Sequence, residues 1–126
     1  MAKVYLDRIA TSELPMKVLE KYPCEMSINL NDILAKKGVT PLELHQMTGL
    51  RLATISEIGK AKKHSINLFH LAVIMAALRI TDLSELIEIS FDEEQVKAWK
   101  KEEEEFPNMM TPSQKQDRIE MLSSND

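Results

Sequence analysis

Two short helical segments separated by a single glycine constrain the fold of this chain more than any other feature of its sequence. The first segment begins at Thr40, whose hydroxyl can accept a hydrogen bond from the first turn of a helix. Pro41 suits the first helical position, and Glu43 can return a hydrogen bond to the backbone of Thr40. Gly49 suits the left-handed conformation that ends many helices. These residues predict a helix with a defined start and a defined end.

A second helix is predicted directly after this turn, from about Arg51 to Ile58. Leu44 in the first helix, and Ile55 and Ile58 in the second, have the spacing of core positions, so we expect all three to be buried. Two short helices joined by a tight glycine turn are the layout of a helix-turn-helix, whose second helix can enter the major groove of DNA.

The flanking sequence predicts three further helices, and therefore an all-α fold. One is expected over about 30–37, and another follows Asn67, which can cap it. Asp82 and Glu85 have the spacing of a second capping box, which predicts a fifth helix through Ile89. The chain has few glycines and only 5% aromatic residues, which also favours helices built on Leu, Ile, Met and Ala.

Segments of different composition flank this block. Residues 1–27 are expected to form an N-terminal extension with a short strand or arm near 4–6 and a helix near 13–21. Residues 28–90 form the predicted helix-turn-helix domain. Residues 91–126 are expected to form an acidic helix followed by a polar, mobile tail.

The charge of the chain is unevenly distributed. The formal net charge of −4 argues mildly against nucleic acid as a partner of the whole chain. However, residues 91–126 alone carry −5, whereas residues 28–90 carry +1. Within residues 36–63 there are six basic residues against Glu43 and Glu57, so the predicted helix-turn-helix lies in the most basic part of the sequence.

The block from Ile28 to Ile89 resembles the Xre/Cro family of lambda-repressor-like helix-turn-helix domains. The resemblance implies a five-helix bundle, and the family usually acts as dimeric transcription regulators of phages, mobile elements and bacterial operons. The residues that carry it are Leu44, Thr48-Gly49-Leu50, Thr54-Ile55-Ser56, Ile58, Ile66-Asn67-Leu68, Leu71-Ala72 and Ala77-Leu78.

The resemblance also implies which residues meet double-stranded DNA. Lysines and helix N-termini favour phosphate oxygens, arginine can read guanine through two hydrogen bonds, and Ala or Leu can contact a thymine methyl group. The residues facing DNA would be Arg51, Leu52, Ala53, Ser56 and Glu57 on the second helix of the motif, with Thr40, Lys60, Lys62 and Lys63 near phosphates.

Departures from the family's pattern keep a second function open. Pro41 replaces a Gln that often touches phosphate, and His45 replaces a small residue where the two helices approach closely. Glu57 stands where a basic or polar residue is common. In the alternative function, Leu52, Ala53 and Glu57 form part of a surface for a protein partner, such as a repressor, a toxin or a polymerase subunit.

Val96 and Trp99 are predicted to make dimer or partner contacts. A single tryptophan on a highly charged helix usually packs on something, either its own bundle or a second subunit. A homodimer is also the natural way for one small DNA-binding module to gain affinity.

Catalytic and metal-binding patterns do not emerge from the sequence. His45, His64 and His70 lack the spacing of metal ligands, and no Gly-rich phosphate loop or Ser/His/Asp set is present. We therefore expect no enzymatic activity, no metal and no cofactor. The lone Cys24 predicts a reducing, cytoplasmic setting, and no apolar run is long enough to predict a membrane span.

Overall fold

The computed structural model describes residues 2–5, 13–62 and 65–124, which contain seven helices and a three-stranded sheet. The helices are α1 (Glu13–Lys21), α2 (Leu30–Lys37), α3 (Pro41–Thr48), α4 (Leu52–Gly59), α5 (Leu68–Leu78), α6 (Glu93–Glu105) and α7 (Pro112–Ser124). The strands are β1 (Ala2–Lys3), β2 (Cys24–Ile28) and β3 (Ile87–Phe91), in that order in the sheet. The chain divides into two compact units, the first consisting of Glu25–Ser90 with β1 and the second built on α1, α6 and α7.

The first unit has one hydrophobic core. Helix α3 packs against α4 and α5, and α2 packs against α4. The predicted burial of Leu44, Ile55 and Ile58 is confirmed, since all three are buried. Leu30 and Ile74 are fully buried beside them. Side chains from α2, α3 and α5 therefore fix the position of α4 in this unit.

The predicted start and end of α3 are confirmed. The backbone N–H of Glu43 donates to the Thr40 hydroxyl oxygen at 3.1 Å, and the backbone N–H of Thr40 donates to the Glu43 carboxylate at 3.1 Å. Pro41 occupies the first turn. Gly49 has a φ of +76°, and its N–H donates to the carbonyl oxygen of His45 at 2.8 Å. The two helices of the motif are therefore joined by a left-handed glycine, as the sequence predicted.

The prediction of an all-α fold with a five-helix bundle is wrong in two respects: the described part of residues 28–90 holds four α-helices, and the described residues include a sheet. In place of the predicted fifth helix, a 3-10 turn at Leu83–Glu85 leads into β3. The Asp82 carboxylate accepts hydrogen bonds from the backbone N–H and the hydroxyl of Ser84, so it caps only this short turn. The alternation of Ile87 and Ile89 with polar residues then suits a strand.

Strand β2 was not predicted by the sequence analysis, although it supplies part of the core. Ile28 and Ser27 are buried at its end. In the sheet, β1 is antiparallel to β2, with Ala2 opposite Ile28 and Lys3 opposite Ser27. The strand expected near residues 4–6 thus lies at Ala2–Lys3, and the N–H of Val4 continues the pairing with a bond to the carbonyl of Met26 at 2.9 Å.

The second unit contains more helix than the sequence predicted. Helices α1 and α6 lie where they were expected. The segment after residue 106, expected to be a mobile polar tail, contains the thirteen-residue helix α7. Thr111 and Gln114 form a capping box at its start, because the Thr111 N–H donates to the Gln114 side chain at 2.8 Å and the Gln114 N–H donates to the Thr111 hydroxyl at 3.3 Å.

Candidate nucleic-acid interface

Helix α4 presents one face to the core and the other to solvent. Its buried residues are Ile55, Ile58 and Gly59. Because helical side chains repeat every 3.6 residues, Ala53 and Ser56 lie on the outer face. The predicted DNA-facing residues Arg51, Leu52, Ala53 and Ser56 are all exposed, Arg51 and Leu52 at the N-terminal end of the helix.

The N-terminus of α4 is suited to an anion. Arg51 is the residue before the first turn, and its side chain makes no capping hydrogen bond. The first turn carries no acidic residue. The N–H groups of a first turn have no partner within the helix, and the helix dipole adds a partial positive charge there. A phosphate oxygen is a suitable acceptor at this position.

The N-terminus of α3 is less suited to phosphate. Thr40 is exposed, as expected, but its N–H already bonds to Glu43, and its hydroxyl accepts from the Glu43 backbone. Pro41 has no N–H to offer. The Glu43 carboxylate also adds a negative charge to this end of the helix. The Thr40 hydroxyl can still donate one hydrogen bond, so its contribution would be smaller than that of the α4 terminus.

The loop after α4 carries exposed lysines. Lys60 and Lys62 are both exposed, and their backbone N–H groups bond to the carbonyl oxygens of Ser56 at 3.0 Å and Glu57 at 3.1 Å. These bonds tie the loop to the last turn of α4. Lys63, the third predicted phosphate contact, lies outside the described residues.

Glu57 is turned partly away from the exposed face of α4. It is half-buried and lines a cavity of about 200 Å³ together with Thr54, Asn67 and His70. The sequence suggested that this carboxylate would oppose DNA phosphates. Its position beside α5 residues reduces that repulsion, because part of its surface faces the protein.

The turn between α3 and α4 is stabilised by side-chain hydrogen bonds that the sequence did not predict. The Nδ1 atom of His45 lies within hydrogen-bonding distance of the Leu50 carbonyl oxygen, so Nδ1 carries the proton. The Thr48 hydroxyl donates to the Leu44 carbonyl at 2.7 Å and accepts from the Leu50 N–H at 3.1 Å. His45, a departure from the family's pattern, therefore links the end of α3 to the segment that leads into α4.

Val96 and Trp99, the predicted dimer or partner contacts, are both half-buried on α6. The Trp99 ring meets the rings of Tyr22 at 5.1 Å and Phe91 at 5.2 Å between centroids, each in an edge-to-face arrangement. Trp99 therefore packs within its own unit. The scarcity of aromatic residues is the one sequence signal for this cluster, since these three are half of the six in the chain.

The described residues show no group of His, Cys and carboxylate side chains that could hold a metal ion. None of their helices is both long and apolar enough to cross a membrane.

A family model of the Cro/C1-type HTH DNA-binding domain matches residues 29–92, about half of the chain. No curated protein and no solved structure matches the chain significantly.

Proposed function

The chain belongs to the Cro/C1-type HTH DNA-binding family, and from this membership we propose that it is a sequence-specific transcription regulator. Helix α4 would enter the major groove of double-stranded DNA. The supporting observation is the exposed surface of α4, which presents Ser56 on the outer face and Arg51 at an N-terminus free of acidic residues. An exposed face of this kind can approach base edges without disturbing the core.

Each exposed residue has a role that fits its chemistry. Arg51 would read a guanine through two hydrogen bonds, and Leu52 and Ala53 would contact thymine methyl groups. Ser56 can donate to or accept from a base edge. The residues proposed to meet phosphates are Lys60, Lys62, Lys63 and, more weakly, Thr40.

We further propose that the regulator acts as a homodimer from a phage, a mobile element or a bacterial genome. One helix reads only a few base pairs, and two copies on a two-fold site would double the contacts. Val96 and Trp99 stay the predicted dimer contacts, with the Trp99 ring already in contact with Tyr22 and Phe91.

The DNA proposal is tested by selecting bound sequences from a random duplex library and measuring affinity for the selected and a scrambled duplex. Arg51→Ala is expected to weaken binding to the selected duplex by about tenfold or more and to affect the scrambled one much less. Lys62→Ala is expected to weaken both alike and to lower the slope of log affinity against log salt by about one.

Lys115→Ala is the matched control, because it removes one exposed positive charge from α7, outside the helix-turn-helix. It should leave both affinities unchanged. The proposal would be abandoned if the protein bound no duplex at about 50 mM salt, where even nonspecific affinity is strong. If Arg51→Ala and Lys115→Ala changed the affinity for the selected duplex equally, Arg51 would not be a base-contacting residue.

A protein-interaction module is the second candidate function. The observation that favours it is apolar exposure on the motif itself, since Leu42, Met47 and Leu52 are 53%, 52% and 46% exposed. Surfaces of this kind often meet a protein. If this candidate holds, Leu52→Ser abolishes capture of one stoichiometric partner, Arg51→Ala leaves it intact, and no duplex is selected from the library.

A further inference from the structure

The second unit contains a cavity of about 610 Å³ that the DNA-binding proposal does not use. One wall is formed by Trp99 and Glu102, which are three residues apart and so share one face of α6, and by Phe106 directly after the helix. Tyr22 at the end of α1 and Phe91 at the end of β3 complete the aromatic lining. A cavity of this size can hold a small organic molecule.

The aromatic lining is held in a defined arrangement. Trp99 meets Tyr22 and Phe91 with an angle of 67° between ring planes in both pairs. Edge-to-face contacts of this kind are favourable and orient the rings. The cavity therefore offers preorganised aromatic surface to a ligand.

The polar lining is acidic. Three carboxylates line the cavity, those of Glu102, Glu103 and Asp117, and the described lining residues include no Lys, Arg or His. Asp117 is paired, because Lys21 donates to its carboxylate at 2.7 Å and the Tyr22 hydroxyl at 2.7 Å. Most of the charge that a ligand would meet therefore comes from the two glutamates.

Glu102 keeps its full negative charge. Its carboxylate accepts hydrogen bonds from the Ser113 backbone N–H at 2.9 Å and the Ser113 hydroxyl at 2.7 Å, and neither donor carries a charge. Hydrogen bonding from the Thr111 hydroxyl, followed by the bonds from Ser113, lowers the pKa of Glu102 below its usual value. Glu102 is thus ionised at neutral pH, with no ion pair to another described residue.

We propose that this cavity binds a lipophilic organic cation that carries aromatic groups. The face of an aromatic ring attracts a cation, and tryptophan does so most strongly. An ionised carboxylate beside aromatic walls adds charge complementarity, whereas a neutral apolar ligand would desolvate Glu102 without balancing its negative charge. An anion would be repelled. This inference goes beyond the DNA-binding proposal and does not depend on it.

The test uses two probes of nearly equal size and shape and opposite charge, tetraphenylphosphonium and tetraphenylborate. Trp99 is the only tryptophan of the chain, so its fluorescence reports on the cavity directly. Titration of the full chain with tetraphenylphosphonium is expected to give a saturable change in Trp99 emission. Tetraphenylborate is expected to give no saturable change over the same concentrations.

Glu102→Gln removes the charge but keeps a hydrogen-bond acceptor for Ser113, and it is expected to weaken tetraphenylphosphonium binding by about tenfold. Glu104→Gln is the matched control: the residue is exposed on the same helix, outside the cavity lining, and binding should be unchanged. Far-ultraviolet circular dichroism of both variants shows whether the helices are retained. If Glu102→Gln unfolds, the comparison of the two probes on the unaltered chain still decides the proposal.

Three results would overturn it. If the cation and the anion bound equally, the cavity would not select ligands by charge. The same would follow if Glu102→Gln and Glu104→Gln had equal affinity for the cation. A Trp99 signal that changes on concentrating the protein alone, with dimers in sedimentation, would show that Trp99 makes the proposed dimer contact and that a second copy, not a cation, occupies the cavity. Loss of DNA binding would leave each of these measurements unaffected, so the two proposals fail separately.

Discussion

At the scale of single residues, Gly49 and Gly59 are favoured for different reasons. Gly49 adopts a φ of +76°, and a Cβ added there would meet nothing within 4 Å, so its backbone conformation alone favours glycine. At Gly59 a Cβ would lie 2.5 Å from the side-chain oxygen of Asn31, whose amide donates to the Gly59 carbonyl at 3.2 Å. The first glycine sets the turn of the motif, and the second allows α2 to approach α4.

Gly49→Ala is therefore expected to lower the free energy of unfolding by about 1 kcal/mol, because an L-residue is strained in the left-handed region. Urea denaturation followed by circular dichroism measures the change. Gly49→Asn is the comparison, since asparagine tolerates this conformation better, and it should recover part of the loss. An alanine variant as stable as the original chain would show that the turn relaxes to a different conformation.

At the scale of secondary-structure elements, two similar cap patterns gave different structures. Thr40 with Glu43 starts an eight-residue helix, whereas Asp82 with Glu85 starts only a 3-10 turn. The difference lies in distant contacts: the N–H of Asn29 donates to the carbonyl of Leu86 at 2.8 Å, where the chain turns into β3. The alternation of Ile87 and Ile89 is compatible with a strand, but the pairing that selects the strand over a helix spans more than fifty residues and leaves no local signal.

Thr40→Ala is expected to reduce the free energy of unfolding by about 1 kcal/mol, because the N–H of Glu43 loses its acceptor. Chemical denaturation measures the loss, and Thr40→Ser should restore most of it. Thr81→Ala, at an exposed position outside the helices, is the matched control and should have little effect. Equal stability of the two alanine variants would mean that α3 does not depend on its cap.

The candidate interface was more predictable than the fold around it. The exposure of Ala53 and Ser56 follows from the helical period once Ile55 is placed in the core, whereas Arg51 is exposed because it precedes the helix. The hydrogen bond between His45 and the Leu50 carbonyl was not predictable, because it depends on how closely the turn brings the imidazole to Leu50. Local periodicity decides which residues face outward, whereas the three-dimensional course of the chain decides which polar groups find partners.

At the scale of the whole molecule, the second unit is expected to be acid-sensitive. Burial raises the pKa of Asp117, but hydrogen bonds from Lys21 and Tyr22 outweigh it, so the pKa lies below its usual value. A carboxylate with a lowered pKa in the folded state stabilises the fold above its unfolded pKa, and this contribution is lost as pH falls. We expect Trp99, which packs on Tyr22, to change its emission below about pH 4.

An Asp117→Asn variant should lack most of this acid transition, because its amide cannot ionise while its oxygen can still accept from Tyr22. Asp92→Asn is the matched control, since the Asp92 side chain makes no capping bond, and it should retain the transition. Fluorescence titration between neutral pH and about pH 2 measures both variants. An identical transition in the two would place its origin in other carboxylates, of which Glu102 is the first to consider.

The small sheet limits how this DNA-binding module can be moved between proteins. The family match begins at residue 29, yet Ile28 in β2 is only 2% exposed and belongs to the core of the first unit. Removing that side chain from the core would forfeit about 1.5–3 kcal/mol of burial, a large share of what a domain this small possesses. The segment inherited or transplanted as one functional piece is therefore longer than the recognisable motif and must carry β2 with it.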